Sequence, residues 1–255
     1  MAGVITASEP SWIAPFTGLS PRRFGKLVTA LRREGVYAGR RGRPRGQPLE
    51  DRALLVLVYW RTNLTMRQLA QHFDLSKSTA DRTINQLGPL LALVPRRRFA
   101  KDAVLIVDGT LVPTRDQAIA EQSKNYRYST NHQVVIERRH PARRDGRADA
   151  TGQPQRLPGL AGIGSQGGRR KDHDDRRRRL SGHRPCHAAP PPQGEELPDW
   201  KQEHNRSHKQ VRARVEHTFA RMKTWKILRD CRLKGDGVHH AMLGIARLHN
   251  LALSG

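Results

Sequence analysis

Two carboxylates stand where their surroundings would let them do chemistry. Asp108 follows the apolar run Ala103-Val104-Leu105-Ile106-Val107 and precedes Gly109-Thr110. Five apolar residues, three of them β-branched, predict a buried strand. A carboxylate where such a strand ends, beside a glycine that frees the backbone, is placed to hold a metal ion at a sheet edge. Asp-Gly is also a common turn pair, and the starting residue of a turn is the plainer role for Asp108. Glu216 lies in a helical pattern with Arg212 and Lys223 on an adjoining face. It is either a ligand or a salt-bridge partner of Arg212 one turn away.

A third group of polar residues belongs to a different chemistry. Lys77, Ser78, Thr79 and Arg82 fall at the start of a short helix, where side chains are free to read base edges. Lys124-Asn125-Tyr126-Arg127-Tyr128 interleaves cations with aromatics, a composition that suits a backbone-and-stacking surface. A plain exposed hairpin has the same composition. The two cysteines, Cys186 and Cys231, match no metal or disulfide spacing. His239, His240 and His249 give no metal spacing either, and surface or capping roles fit them.

The bulk composition favours a polyanionic partner. In 255 residues there are 47 Lys and Arg against 23 Asp and Glu, a formal charge of +24. Such an excess points first to nucleic acid. The longest apolar run, Ala53 to Trp60, is far short of a membrane span. No basic-then-apolar signal pattern opens the chain. A soluble, cytoplasmic protein acting on DNA or RNA is expected.

The elements that must position these residues follow in chain order. Residues 1–19 read as poorly structured. Ser20-Pro21 starts a helix whose apolar face is Phe24, Leu27, Val28 and Leu31, with Gly35 as a stop. Residues 38–48 form a basic Gly/Pro linker, either a solvated loop or an arm along phosphates. Leu54 to Trp60 is a hydrophobic helix. Thr65 to Gln68 fits a capping box, Leu69 and Phe73 face inward, and Asp74-Leu75-Ser76 makes a turn. Ser78 to Asp81 fits a second capping box, followed by the stripe Ala80, Ile84 and Leu87. Two short helices with a tight turn between them, after a supporting helix, describe a helix-turn-helix. Beyond the basic connector at 95–101 come the Asp108 strand, a turn at Thr114-Arg115-Asp116, and a second strand from His132 to Ile136. Later, Asp199 to Trp225 predicts a long helix with Val211, Val215, Phe219 and Met222 as its stripe. A last amphipathic helix runs from Val238 to Leu253.

Residues 137–194 break this pattern. Their 58 positions hold 13 Arg, 7 Pro and 9 Gly, with four Leu or Ile and no Phe, Trp or Tyr. No strand or helix period is visible, and no stable packed structure is expected. The stretch reads as a basic linker or as a GC-rich gene translated out of frame. Ordinary codons for Gln153 to His187, read from the second base, permit a peptide containing Ala-Asp-Gly-Gly-Tyr. In that frame the aspartate straddles the codons of Arg177 and Arg178.

Together the pieces resemble a bacterial insertion-sequence transposase of the DDE superfamily. The residues that carry the resemblance are Val107-Asp108-Gly109-Thr110, Glu121 to Tyr128 (EQSKNYRY), and Arg214-Val215-Glu216-His217-Thr218-Phe219. Arg212-x3-Glu216-x6-Lys223 matches a family signature, with Lys209 where a tyrosine is common. The resemblance covers residues 20–136 and 195–253. It implies an α-helical helix-turn-helix domain followed by an α/β ribonuclease-H-like domain, here incomplete. The divisions would be an arm, short helix and linker (1–48), the helix-turn-helix (49–94), the first part of the nuclease domain (95–136), the out-of-frame segment (137–194) and the C-terminal helical part (195–255).

The resemblance also implies roles. Asp108 would be the first catalytic acid and Glu216 the third, with the second lost in the out-of-frame segment. The acids would hold Mg²⁺ or Mn²⁺, which activates water or a DNA 3′-hydroxyl. Arg212 and Lys223 would neutralise phosphates, as would Lys124 and Arg127. The partners would be double-stranded DNA, as element terminal repeats and target, and a homodimer is open to the chain. A non-catalytic DNA-binding remnant is the alternative.

Overall fold

The computed structural model describes residues 4–34, 46–94, 104–122, 128–138, 159–166 and 198–253. Its helical half is built around α3 (Leu49–Thr62), in which ten residues from Leu49 to Trp60 are buried. A helix apolar on every side must be surrounded. Around it stand α1 (Ile13–Thr17), α2 (Pro21–Arg33), α5 (Lys77–Leu91) and the 3₁₀ turn η2 (Lys226–Leu228). α3 ends at Asn63, whose left-handed backbone (φ 52°) turns the chain while its side-chain amide donates to the Asp230 carbonyl at 2.8 Å.

α2 begins as its sequence dictates. The Ser20 hydroxyl accepts from the Arg23 amide, proline occupies the first turn, and Phe24, Leu27, Val28 and Leu31 are buried. The helix ends at Arg33 with Glu34 as its cap, and Gly35 lies outside the described residues. The segment before it corrects the expectation for residues 1–19. Ile5, Ile13 and Leu19 are core residues, and the Ile5 amide donates to the His72 carbonyl. The Asp51 carboxylate, in the first turn of α3, accepts from the Ala7 amide (2.6 Å) and the Thr6 hydroxyl (3.0 Å). These anchors are contacts across more than forty residues, so no local period announces them.

The helix-turn-helix forms from α4 (Met66–His72) and α5. Thr65 and Gln68 make the reciprocal capping box. Asp74, at φ 51°, makes the turn. The cap of α5 is Ser76, which accepts from the Thr79 amide at 3.2 Å, so the second capping box expected at Ser78 to Asp81 does not form. Asp81 instead accepts from the Asn85 side chain one turn on. Ala80, Ile84 and Leu87 are buried, as the stripe requires.

The sheet has β3 (Tyr128–Arg138) at its centre. β1 (Val104–Pro113) pairs antiparallel on one side of it, and β2 (Glu121–Gln122) and β4 (Gly159–Gln166) pair antiparallel with it as well. β1 does not stop at Asp108. It runs five residues further, and its register sets Asp108 opposite Val134. Nor is it buried on both faces: Val112 is buried, while Val107 is 61% and Leu111 52% exposed. An apolar run does not say whether one face or two are covered. β4 corrects the expectation that residues 137–194 hold no regular element. Its glycines carry little side-chain information, and the pairing comes from the backbone ladder on β3.

The C-terminal helices are α6 (Asp199–Met222), three residues shorter than expected, and α7 (Gly237–Leu253). Val215 and Met222 of α6 are buried and Phe219 half-buried, while the Val211 side chain lies outside the described residues. α7 enters the helical half. A Cβ at Gly244 would lie 2.3 Å from the Trp60 ring, so the indole of α3 is seated on bare backbone of α7. The Leu93 amide donates to the Leu243 carbonyl, and Arg247 donates to the Leu90 carbonyl and to Glu34. The core is therefore continuous from α3 and α5 to α7, and residue 94 does not divide it.

Candidate nucleic-acid interface and acidic residues

α5 is anchored along one side and bare along the other. Its inner side carries Ala80, Thr83, Ile84, Leu87 and Leu91, all buried. Lys77, Ser78, Asp81, Arg82 and Asn85 are exposed, and Thr79 is half-buried. The two hydroxyls are already engaged: Ser76 Oγ lies 3.0 Å from Ser78 Oγ and 2.8 Å from Thr79 Oγ1. Lys77 and Arg82 enter no ion pair among the described residues, which leaves them as the groups free to meet an anion. Asn85 was not singled out from the sequence. It stands three residues beyond Arg82 on the bare side, and an amide there can donate to and accept from a base edge. The spacing from Arg82 was the available signal.

Asp108 is exposed on β1, and its Oδ1 accepts from the following amide of Gly109 at 2.7 Å. By the two-residue period it shares a face with Thr110 and Val112, which are buried. Next to this face lies His132 of β3, opposite Thr110 and fully buried. Its Nε2 is 2.9 Å from the Thr130 hydroxyl, and its ring stacks on His239 of α7 with centroids 6.2 Å apart. Burial, with a smaller push from His239, lowers His132 to about 4. Burial also lowers His239. These two histidines are neutral packing groups at neutral pH, so a purely surface role for His239 is corrected.

The far end of β1 is fastened by charge. Arg115 and Asp230 form a two-pronged pair, with Nε–Oδ1 at 3.0 Å and Nη2–Oδ2 at 2.6 Å. That bond raises the arginine and holds Asp230 low. Asp116 accepts from the amides of Gly235 (2.8 Å) and Ala118 (3.1 Å), which keep its carboxyl below the usual range. Between them, Cys231 bridges to Thr114 as a parallel extension of the sheet; burial lifts its thiol to about 11, so it is inert at neutral pH.

Glu216 is exposed on α6 and paired with Arg212, Nε to Oε1 3.0 Å, both side chains being mostly in solvent. The salt-bridge role considered for Glu216 is thus present. Lys223, at the C-cap of α6, is exposed. Lys124 and Arg127 lie outside the described residues. Asp108 and Glu216 are the hard oxygen donors that Mg²⁺ prefers. Each is held by a local partner, however, and among the described residues no group of three or more His, Cys, Asp or Glu is spaced to hold a metal ion. The described residues alone therefore do not make a fitted metal site.

Residues 48–96 match the model described as "Helix-turn-helix of DDE superfamily endonuclease", and residues 167–251 match "Transposase DDE domain". A protein of Streptomyces albus G, named "Putative transposase for insertion sequence element IS112", is 66% identical, with both chains covered in full. No solved structure matches. No helix among the described residues is long and apolar enough to cross a membrane.

Proposed function

Because the chain belongs to the DDE-superfamily transposases of bacterial insertion sequences, we propose that it grips the ends of such an element with the bare side of α5. The observation that carries this reading is the pair Lys77 and Arg82, exposed and outside any described ion pair, on a helix whose other side is locked into the core. A guanidinium on a rigid helix suits a bidentate contact to guanine, and a lysine beside it suits phosphate. Lys124, Arg127, Arg212 and Lys223 are the proposed backbone contacts outside this helix, to terminal repeat and target DNA alike.

The chemistry of cleavage and strand transfer belongs to Asp108 and Glu216. They are the carboxylates that would ligate Mg²⁺ or Mn²⁺ were a third acid supplied beside them. In this chain the set is short of one acid: the out-of-frame reading puts Arg177 and Arg178 where the second carboxylate belongs, and a cation there repels a metal ion. The chain is accordingly a defective nuclease that retains end binding. One observation favours the opposite reading, a competent enzyme. The DDE-domain match and the Streptomyces relative both run through residues 167–194, and Asp172, Asp174 and Asp175 lie in that stretch.

A single experiment separates these readings. The purified chain is incubated with Mn²⁺ or Mg²⁺ and a supercoiled plasmid carrying the element ends, with binding followed in parallel. Binding without nicking is expected, with Arg82→Ala weakening end binding about tenfold or more at fixed salt. Nicking that Asp108→Asn abolishes would establish the competent enzyme, and unchanged binding by Arg82→Ala would remove α5 from recognition.

A further inference from the structure

α2 precedes both stretches that match the family models, and its outer side is built unlike a solvated helix. Between Pro21 and Arg33 it carries five cations and no acid. Two of the five are used internally. Arg23 donates to the Ala252 carbonyl at 3.1 Å, and Arg32 pairs with Glu50. The remaining three, Arg22, Lys26 and Arg33, are exposed, enter no ion pair among the described residues and line one open groove. Among its described lining residues the one acid is Glu34, which is already held by Arg247 at 2.6 Å.

Three features of the stripe work against helix stability and are unexplained by packing. Arg22 sits in the first turn, where the helix dipole disfavours a cation. Arg22 and Lys26 are four apart and repel. Gly25 lies inside the helix, where glycine is poor, and a Cβ there would meet nothing within 4 Å. A bare backbone between two cations instead admits close approach of a ligand. From Arg22 to Arg33 the helix rises about 16 Å, which matches roughly five base pairs of duplex axis at about 3.4 Å of rise each.

We infer that the Arg22–Lys26–Arg33 groove of α2 is a second DNA contact, one that takes the phosphate backbone of a duplex without reading its sequence. This rests on the reading that the chain binds DNA. Arg247 ties the cap of α2 to the C-terminal end of α5, so the groove is held at a fixed place relative to the recognition helix.

The test uses the full chain and two labelled 30-base-pair duplexes, one with an element end and one of unrelated sequence, titrated across salt. Neutralising one phosphate contact removes about 0.9 from the slope of log affinity against log salt. The triple variant Arg22→Gln, Lys26→Gln, Arg33→Gln should lose about 2 to 3 from that slope and bind both duplexes at least ~10-fold more weakly at 0.1 M salt. Each single substitution should lose about 1 with a melting temperature no lower than the parent's. Arg82→Ala, by contrast, should weaken the element end more than the unrelated duplex. If the triple variant keeps the parental slope while Arg82→Ala weakens end binding, the groove is not a DNA contact and the reading of α5 stands. A parental chain with no salt-dependent duplex binding overturns both. Loss of binding to vesicles containing phosphatidylserine, with duplex affinity unchanged, assigns the groove to a lipid surface and overturns the proposal.

Discussion

The helical half and the sheet half treat apolar residues differently. Around α3, Leu54 to Val58 have no exposed surface at all, and Tyr59 and Trp60 have almost none. In β1 the same residue types alternate between buried Val112 and exposed Leu105, Val107 and Leu111. Charge divides the other way. Arg22, Lys26 and Arg33 of α2 and Lys77 and Arg82 of α5 enter no described ion pair, whereas Arg115, Asp230 and Asp116 fasten the end of β1. The helical half thus takes its stability from its core and leaves its outer cations outside the described ion pairs. The sheet half is held by backbone ladder and ion pairs, with one covered face.

The comparison breaks most severely at Trp60. Trp60→Ala removes the ring that α3 seats against Gly244, and should cost about 3–5 kcal/mol. Chemical denaturation followed by helix circular dichroism reads this directly; a loss under about 1 kcal/mol would show that the helical core does not depend on α7.

The sheet half should reveal itself through acid. His132 has its folded value lowered to about 4 from 6.5, so the unfolded chain takes the proton first. Stability from this group is complete above about pH 6.5, falls as pH drops, and levels off below about pH 4. The shift corresponds to roughly 3 kcal/mol, at about 1.4 kcal/mol per pH unit. Melting temperatures across that range should show the loss, and His132→Leu should flatten it. An unchanged acid slope in the variant would place the sensitivity elsewhere.

A smaller effect sharpens the boundary of α5. Ser76→Ala should cost about 1 kcal/mol and Ser78→Ala only a few tenths, because Ser76 is the cap. Equal losses would restore the register with Ser78 as the cap.

What was legible in the sequence was local. Ser20-Pro21 and Thr65 to Gln68 announced their helices because a cap is settled within four residues. The same reasoning misplaced the start of α5 by two residues, since both Ser76 and Ser78 precede plausible first turns. The strand around Asp108 was visible, but its length and single covered face depend on β3, which pairs with it from beyond residue 127. β4 was invisible because Gly159, Gly162 and Gly164 leave strand formation to the neighbour. Of the candidate site, Glu216 fell on a helix as expected, while Asp108 fell within a strand and not at its end. Whether they meet is a question of long-range placement, on which spacing is silent.

The seating of Trp60 on Gly244 has a consequence for the order in which the protein is made. α7 holds seventeen helical residues and is made after α3, α4 and α5. Until it is made, the Trp60 ring has no Gly244 to rest on, and Glu34 and the Leu90 carbonyl have no Arg247. A nascent or prematurely terminated chain therefore carries every residue of the helix-turn-helix and still lacks the brace that completes it. The closed helical core becomes a property of a chain that already includes α7.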